Sequence, residues 1–169
     1  MAAARGLPGD RRSEIIEHVM RRRLATFLSL PSSDRRLLMR AATAVAAARV
    51  MVKLMPLRTA RGALVGSQRR LRAAPSNIAC LRPPAERIIW AVEAAGRAIP
   101  GGGNCLVQAL AAEALMLRAG YACDLRIGVA RDGARNMAAH AWLVAPDGKV
   151  LIGDFDLDRY RPMASTGRP

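Results

Sequence analysis

The sequence predicts an α+β fold in which helices come first and an antiparallel sheet follows. Apolar residues recur at helical spacing in several segments up to about residue 118, and strand-like alternation begins only at Cys123. With 169 residues, 51% of them hydrophobic, the chain is long enough to bury a sizeable core. We therefore expect one α+β core with an N-terminal helical lobe.

Three helices are predicted in the first half of the chain, over residues 13–30, 32–55 and 59–71. The first two begin at caps that contain serine and end before Pro31 and Pro56. The third has a poorer apolar stripe. Prolines and polar residues between 75 and 84 then predict a linker.

The charge distribution also changes at this linker. Residues 1–82 contain 17 Lys and Arg against 4 Asp and Glu, whereas residues 83–169 contain 10 against 9. We therefore predict a basic helical region at 1–80, the α+β core at 81–160 and a flexible tail at 161–169. The basic half is suited to nucleic acid, an anionic membrane surface or an acidic peptide, or it is only a solvated surface; charge alone does not choose.

Two helices and a glycine-rich loop are predicted next. A helix over residues 84–99 ends at Pro100, three glycines follow, and a mostly buried helix covers residues 106–118. Cys105 therefore lies at the amino end of a buried helix, where exposed backbone amides favour a thiolate.

Three strands complete the predicted core, over residues 123–129, 138–145 and 149–155. A three-residue loop with Gly148 in the left-handed position would pair Trp142 with Ile152 and His140 with Asp154. A two-residue loop would place another residue opposite His140, so this register depends on the turn.

A cysteine nucleophile with its base is the chemistry that these positions favour. His140 can take the proton of the Cys105 thiol, and Asp154 can orient the imidazole. The Cys105 amide, helped by Asn104 and Gln108, can stabilise an oxyanion. A structural role for the cysteine and the histidine is the competing interpretation at this point.

Other site chemistries find less support in the sequence. No Cys or His pair has zinc-like spacing near Cys105, so neither a metal nor a cofactor is expected. Cys80 and Cys123 are predicted to fill space. Three cysteines, an odd number, and no secretory signal pattern at the start predict a cytoplasmic protein.

Five short motifs then occur together: AERI at 85–88, NCLVQAL at 104–110, LRAG at 117–120, LRIGV at 125–129 and AHAW at 139–142. In combination they resemble the leader peptidases of lasso-peptide biosynthesis, a bacterial branch of the transglutaminase-like cysteine proteases. The resemblance covers a little under half the chain. It implies a papain-like core, in which the helix of the nucleophile packs on an antiparallel sheet.

The resemblance also implies a function, site residues and partners. It places Cys105 and His140 in a triad that removes the leader from a ribosomally made precursor. Asp154 is the preferred third member, with Asp156 as the alternative. The implied partners are the precursor peptide, a separate PqqD-like leader-recognition protein and an ATP-dependent asparagine-synthetase-like macrolactam cyclase. Because the first 80 residues predict no strand hairpin, the chain resembles the stand-alone form.

Two other functions remain open from the sequence. One is acyl transfer by the same triad, in which an amine takes the place of water as the acceptor. The other is a basic nucleic-acid-binding module with a structural Cys105 and His140, which the lack of aromatic residues among the arginines disfavours.

Overall fold

The computed structural model describes residues 17–18, 21–22, 24–73, 82–132 and 136–163. The chain divides into two compact units between Arg36 and Leu37. In the first unit, residues 24–29 lie in a helix, α1, followed by a turn in which the Leu30 amide donates to the Phe27 carbonyl at 3.3 Å. The predicted helix start at residue 13 lies outside the described residues.

Four further helices follow, with bounds close to those predicted. They are α2 (Ser32–Leu54), α3 (Leu57–Ala73), α4 (Ala85–Ala98) and α5 (Cys105–Arg118). None of the helices among the described residues is long and apolar enough to cross a membrane.

The second half of the chain forms an antiparallel sheet, which confirms the predicted α+β class. The strands are β1 (Asp124–Asp132), β2 (Asn136–Val144), β3 (Val150–Ile152) and β4 (Arg161–Pro162), in the spatial order β3-β2-β1-β4. A short 3-10 helix, Leu157–Arg159, precedes β4.

One hydrophobic core joins helices to sheet. It contains buried residues of α2 to α5, such as Leu37 and Leu64, together with Leu125, Ala141 and Leu143 of the sheet. Helix α5 is buried along most of its length, because helices and sheet cover it from several sides. Residues at the start of α5 are therefore held by the centre of the core.

The helical region shares its core with the sheet. From Leu37 onward, α2 and α3 belong to the same compact unit as the sheet. The predicted boundary near residue 80 lies outside the described residues. The predicted tail begins with the short strand β4, and residues 164–169 are outside the described part of the chain.

The β2–β3 hairpin has the predicted three-residue loop. The Ala145 amide donates to the Lys149 carbonyl at 2.8 Å, and Gly148 has a left-handed φ of 87°. Val144 pairs with Val150, as the sequence predicts.

Beyond that pair, a bulge changes the register. Leu143 pairs with Ile152, which leaves Leu151 as an extra residue on β3. The predicted pairing of Trp142 with Ile152 is therefore wrong. The predicted pairing of His140 with Asp154 also does not form, because β3 ends at Ile152.

Candidate active site

Cys105 is the first residue of α5, and the preceding residue caps that helix. The side-chain oxygen of Asn104 accepts a hydrogen bond from the Leu106 amide at 2.9 Å. The thiol of Cys105 is half-buried and packs against the edge of the core. Unpaired amides of a first helical turn point toward this end and favour bound negative charge.

A buried ion pair fixes α5 against α3. Arg61 Nε donates to Glu113 Oε2 at 2.9 Å, and Arg61 Nη2 lies 2.6 Å from Glu113 Oε1. The Glu113 side chain is only 2% exposed, and that of Arg61 is 18% exposed. The pairing with Glu113 raises the pKa of Arg61. This contact attaches α5, the helix that begins with Cys105, to α3 at Glu113.

The glycine-rich loop packs closely against α2 and α4. A Cβ atom added at Gly102 would lie 3.0 Å from Val45 Cγ1. A Cβ atom added at Gly101 would lie 2.6 Å from Arg49 Cζ, so the guanidinium of α2 rests on this loop. The loop can follow this path because it lacks side chains at these positions.

His140 lies in the middle of β2 and is held by a backbone carbonyl. Its Nε2 lies 2.8 Å from the Gly153 carbonyl oxygen. Because a carbonyl only accepts, Nε2 must carry the proton of this hydrogen bond. In the neutral imidazole, Nδ1 is then the basic nitrogen, which is the state that a general base requires.

A C-terminal segment covers this histidine. We call residues 153–160 the crossing segment, because it joins β3 at one edge of the sheet to β4 at the opposite edge. Its Tyr160 ring lies 5.2 Å from the His140 ring, and the Trp142 ring stacks on His140 at 6.1 Å. A Cβ atom added at Gly128, which pairs with His140, would lie 2.8 Å from Trp142 Cη2 and 3.0 Å from Tyr160 Cβ.

These contacts place His140 on a defined face of the sheet. Ala141 and Leu143 belong to the core that the sheet shares with α5. Because side chains alternate along a strand, His140 and Trp142 point to the other face, under the crossing segment. Within the described residues, Cys105 forms no hydrogen bond with His140, so their catalytic pairing stays a prediction.

The acidic candidates lie in the crossing segment. Asp154 and Asp156 are both exposed, and Asp156 has a left-handed backbone with φ of 49° before the 3-10 helix. The hydrogen bond between His140 and this segment is accepted by the Gly153 carbonyl rather than by a carboxylate. The role of Asp154 therefore also stays a prediction.

The two predicted oxyanion helpers have contacts of their own. The side-chain oxygen of Asn104 is engaged as the helix cap. The Gln108 side chain extends toward α4, where a Cβ atom added at Gly96 would lie 2.5 Å from Gln108 Nε2. The backbone amide of Cys105 is the remaining predicted donor.

The other cysteines differ from Cys105. Burial raises the pKa of the Cys123 thiol to about 12, and the nearby Glu113 carboxylate adds to this effect. Cys123 is therefore a neutral thiol that contacts the edge of the core, as predicted. Cys80 lies outside the described residues.

Three residues at the site were missed by the sequence analysis: Gly153, Tyr160 and Arg49. The glycine directly before Asp154 was a usable signal, since an isolated glycine at a strand end often marks an unusual backbone or a close approach. Tyr160 and Arg49 gave no signal, because only the folded chain brings them to the histidine and to the glycine-rich loop.

The comparison with family models covers most of the chain. Residues 41–165 match the model described as the transglutaminase-like superfamily, which generally includes cysteine proteases and acyltransferases. Neither the curated proteins nor the solved structures give a match. The matched range begins in α2 and ends after β4, so it includes Cys105, His140 and the crossing segment. The chain therefore belongs to the transglutaminase-like superfamily.

Proposed function

We propose that this protein is a cysteine peptidase that removes the leader from a ribosomally made lasso-peptide precursor. The observation that carries the proposal is the position of Cys105, a half-buried thiol at the capped start of the central helix in a transglutaminase-like domain. The motifs around Cys105 and His140 supply the narrower substrate class.

The chemistry proceeds in two steps. The Cys105 sulfur attacks the scissile carbonyl carbon, the thiol proton passes to His140, and the imidazolium then gives a proton to the leaving amine. Water then attacks the thioester carbon and gives a proton to His140, the carbon–sulfur bond breaks, and the proton returns from His140 to the Cys105 sulfur as the leader leaves as a carboxylic acid. The released amine is the new amino terminus of the core peptide. The Cys105 amide stabilises the oxyanion in both steps.

The state of His140 supports a role as base, but its location sets a condition. Nε2 is held by the Gly153 carbonyl, which leaves Nδ1 as the proton acceptor. The imidazole also lies under the crossing segment, and it must come within hydrogen-bond distance of the thiol for the triad to work. Asp154, next to Gly153, would replace or support the carbonyl as the orienting group.

Cleavage of the precursor tests this proposal. The protein is mixed with the precursor peptide, with and without the separate leader-binding chain, and the products are weighed by mass spectrometry. We expect release of the leader as a free acid, and a loss of at least about 1,000-fold in kcat/KM for Cys105→Ala and for His140→Ala. Cys123→Ala, which removes a neutral half-buried thiol, should retain activity.

The other outcomes identify the competing functions. A cross-linked product would indicate acyl transfer to an amine in place of hydrolysis. Retained cleavage in His140→Ala would make His140 a structural residue, which its engagement under the crossing segment would then explain. Absence of any cleavage or transfer with both partners present would contradict the enzyme proposal.

A further inference from the structure

Arg49 of α2 lies beside the loop that precedes Cys105. The Arg49 guanidinium rests on Gly101, and the side chain is partly buried. Within the part of the chain that the structure describes, Arg49 forms neither a hydrogen bond nor an ion pair. A guanidinium carries five donors in a planar fork, which suits a carboxylate in a two-point contact. Among the described residues nothing engages these donors, which leaves them available to an acceptor from outside the chain.

The described residues do not require position 103 of the same loop to be a glycine. Among the described residues, a Cβ atom added at Gly103 would meet only the Gly96 carbonyl oxygen, at 4.0 Å, and its φ is not in the left-handed region. In contrast, Gly102 has close backbone neighbours, and Gly101 has a left-handed φ of 69°. The bare surface at Gly103 leaves room for another backbone to approach the loop closely.

Both features lie next to the candidate nucleophile. Gly103 precedes Cys105 by two residues and Gly101 precedes it by four, so the Cα atoms of Gly101 and Cys105 are at most about 15 Å apart. A peptide whose scissile bond reaches the thiol can therefore pass over Gly103 and present a side chain or terminus to Arg49.

We propose that Arg49 and Gly103 form a substrate subsite for an acidic peptide. The peptide backbone lies over Gly103, and a carboxylate within a few residues of the scissile bond pairs with Arg49. This subsite rests on the proposed peptidase function, because it assigns a specificity determinant to the same nucleophile.

Alkylation of Cys105 tests the charge of the subsite without any peptide. Iodoacetate is an anion and iodoacetamide is neutral. The rate of Cys105 alkylation by iodoacetate divided by the rate with iodoacetamide therefore reports the local electrostatic potential. Both rates are followed by peptide-resolved mass spectrometry. At low ionic strength, we expect Arg49→Gln to lower this ratio about threefold, as for a charge roughly 10 Å away. Arg49→Lys should keep the ratio, and Arg58→Gln, which removes an exposed charge on α3, should change it less.

The proposed passage of the peptide backbone over Gly103 is tested with the precursor peptide. Gly103→Ala should raise KM at least about fivefold with little change in kcat, because the added methyl group meets the substrate but not the folded protein. Gly62→Ala, on α3, also places a methyl group in open space and should leave KM unchanged. Thermal melting of each variant shows that the change in KM does not reflect unfolding.

The failures of the two proposals are distinguishable. If the wild-type protein cleaves the precursor while Arg49→Gln and Gly103→Ala keep its KM, the subsite is wrong and the peptidase stands. If it cleaves nothing, the peptidase proposal fails, and the alkylation ratio still decides whether Arg49 acts at Cys105. An unchanged ratio in Arg49→Gln, or a Cys105 that neither reagent modifies, overturns the subsite.

Discussion

The two halves of the candidate site are built in different ways. Cys105 begins a helix that the core surrounds, and a buried ion pair with α3 holds that helix. His140 lies on the other face of β2, where the crossing segment covers it. In that segment Asp154 and Phe155 are exposed, and the 3-10 helix has no buried residue.

This difference indicates where the site is rigid and where it can change. A residue at the start of a buried helix moves only if the core repacks, which is costly in a close-packed interior. A short covering segment with few buried side chains opens at a lower cost in free energy. The candidate nucleophile Cys105 is therefore positioned by the core, whereas the state of the candidate base His140 depends on a segment with few buried side chains.

The largest effect is expected from breaking the buried ion pair between α3 and α5, the helix that begins with Cys105. Glu113→Gln removes the charge that compensates Arg61 in a buried setting, and we expect the free energy of unfolding to fall by about 3 kcal/mol. Urea unfolding followed by circular dichroism measures this loss.

The matched control is the exposed pair between Glu93 and Arg97, whose closest approach is 3.9 Å. Glu93→Gln should cost less than about 1 kcal/mol, because water screens this pair. Equal losses for the two variants would show that α5 is not fixed by the buried contact.

An intermediate effect is expected in the crossing segment. Gly153 has a left-handed φ of 83°, and an added Cβ atom would lie 2.7 Å from the Ala141 carbonyl oxygen. Gly153→Ala should therefore destabilise the protein by about 2 kcal/mol and displace the carbonyl that holds His140. The change in the His140 environment can be followed by the NMR signals of its ring.

Gly148 provides the control for backbone conformation alone. It also has a left-handed φ, 87°, but nothing lies within 4 Å of an added Cβ atom. Gly148→Ala should cost only about 1 kcal/mol and leave the His140 signals in place. If it shifts those signals as much as Gly153→Ala does, the close approach at Gly153 does not position the histidine.

An effect confined to alkaline pH concerns Cys123, just before β1. Burial raises the pKa of its thiol from 9.0 to about 12, so between these values the unfolded chain is deprotonated and the folded chain is not. The stability that the neutral thiol contributes is full below pH 9 and falls as the pH rises toward 12. We expect this loss to reach at most about 1 kcal/mol per pH unit, since the thiol remains partly exposed.

Comparing the pH dependence of unfolding in wild type and Cys123→Ala isolates this contribution, because the other titrating groups are common to both. The wild type should lose stability faster above pH 9. Parallel curves would contradict a raised pKa at Cys123.

The sequence by itself determined the helices α2 to α5 and the approximate positions of the first three strands, but not the 3-10 helix or β4. Apolar spacing and prolines defined α2 to α5, because helix periodicity and chain breakers are local properties. Local signals also predicted that Cys105 lies at a helix start and that Gly148 lies in the turn between β2 and β3. The family resemblance agreed with the superfamily match, although it named a narrower function than that match establishes.

Only the tertiary structure decided the relations between distant residues. The bulge at Leu151 shifts the pairing of β2 with β3 away from the predicted register, because one extra residue displaces every later pair. The sequence gives no sign of this bulge. The carbonyl partner of His140 and the contact of Arg49 with Gly101 join segments far apart in the chain. Such contacts arise from packing between elements, which local patterns do not encode.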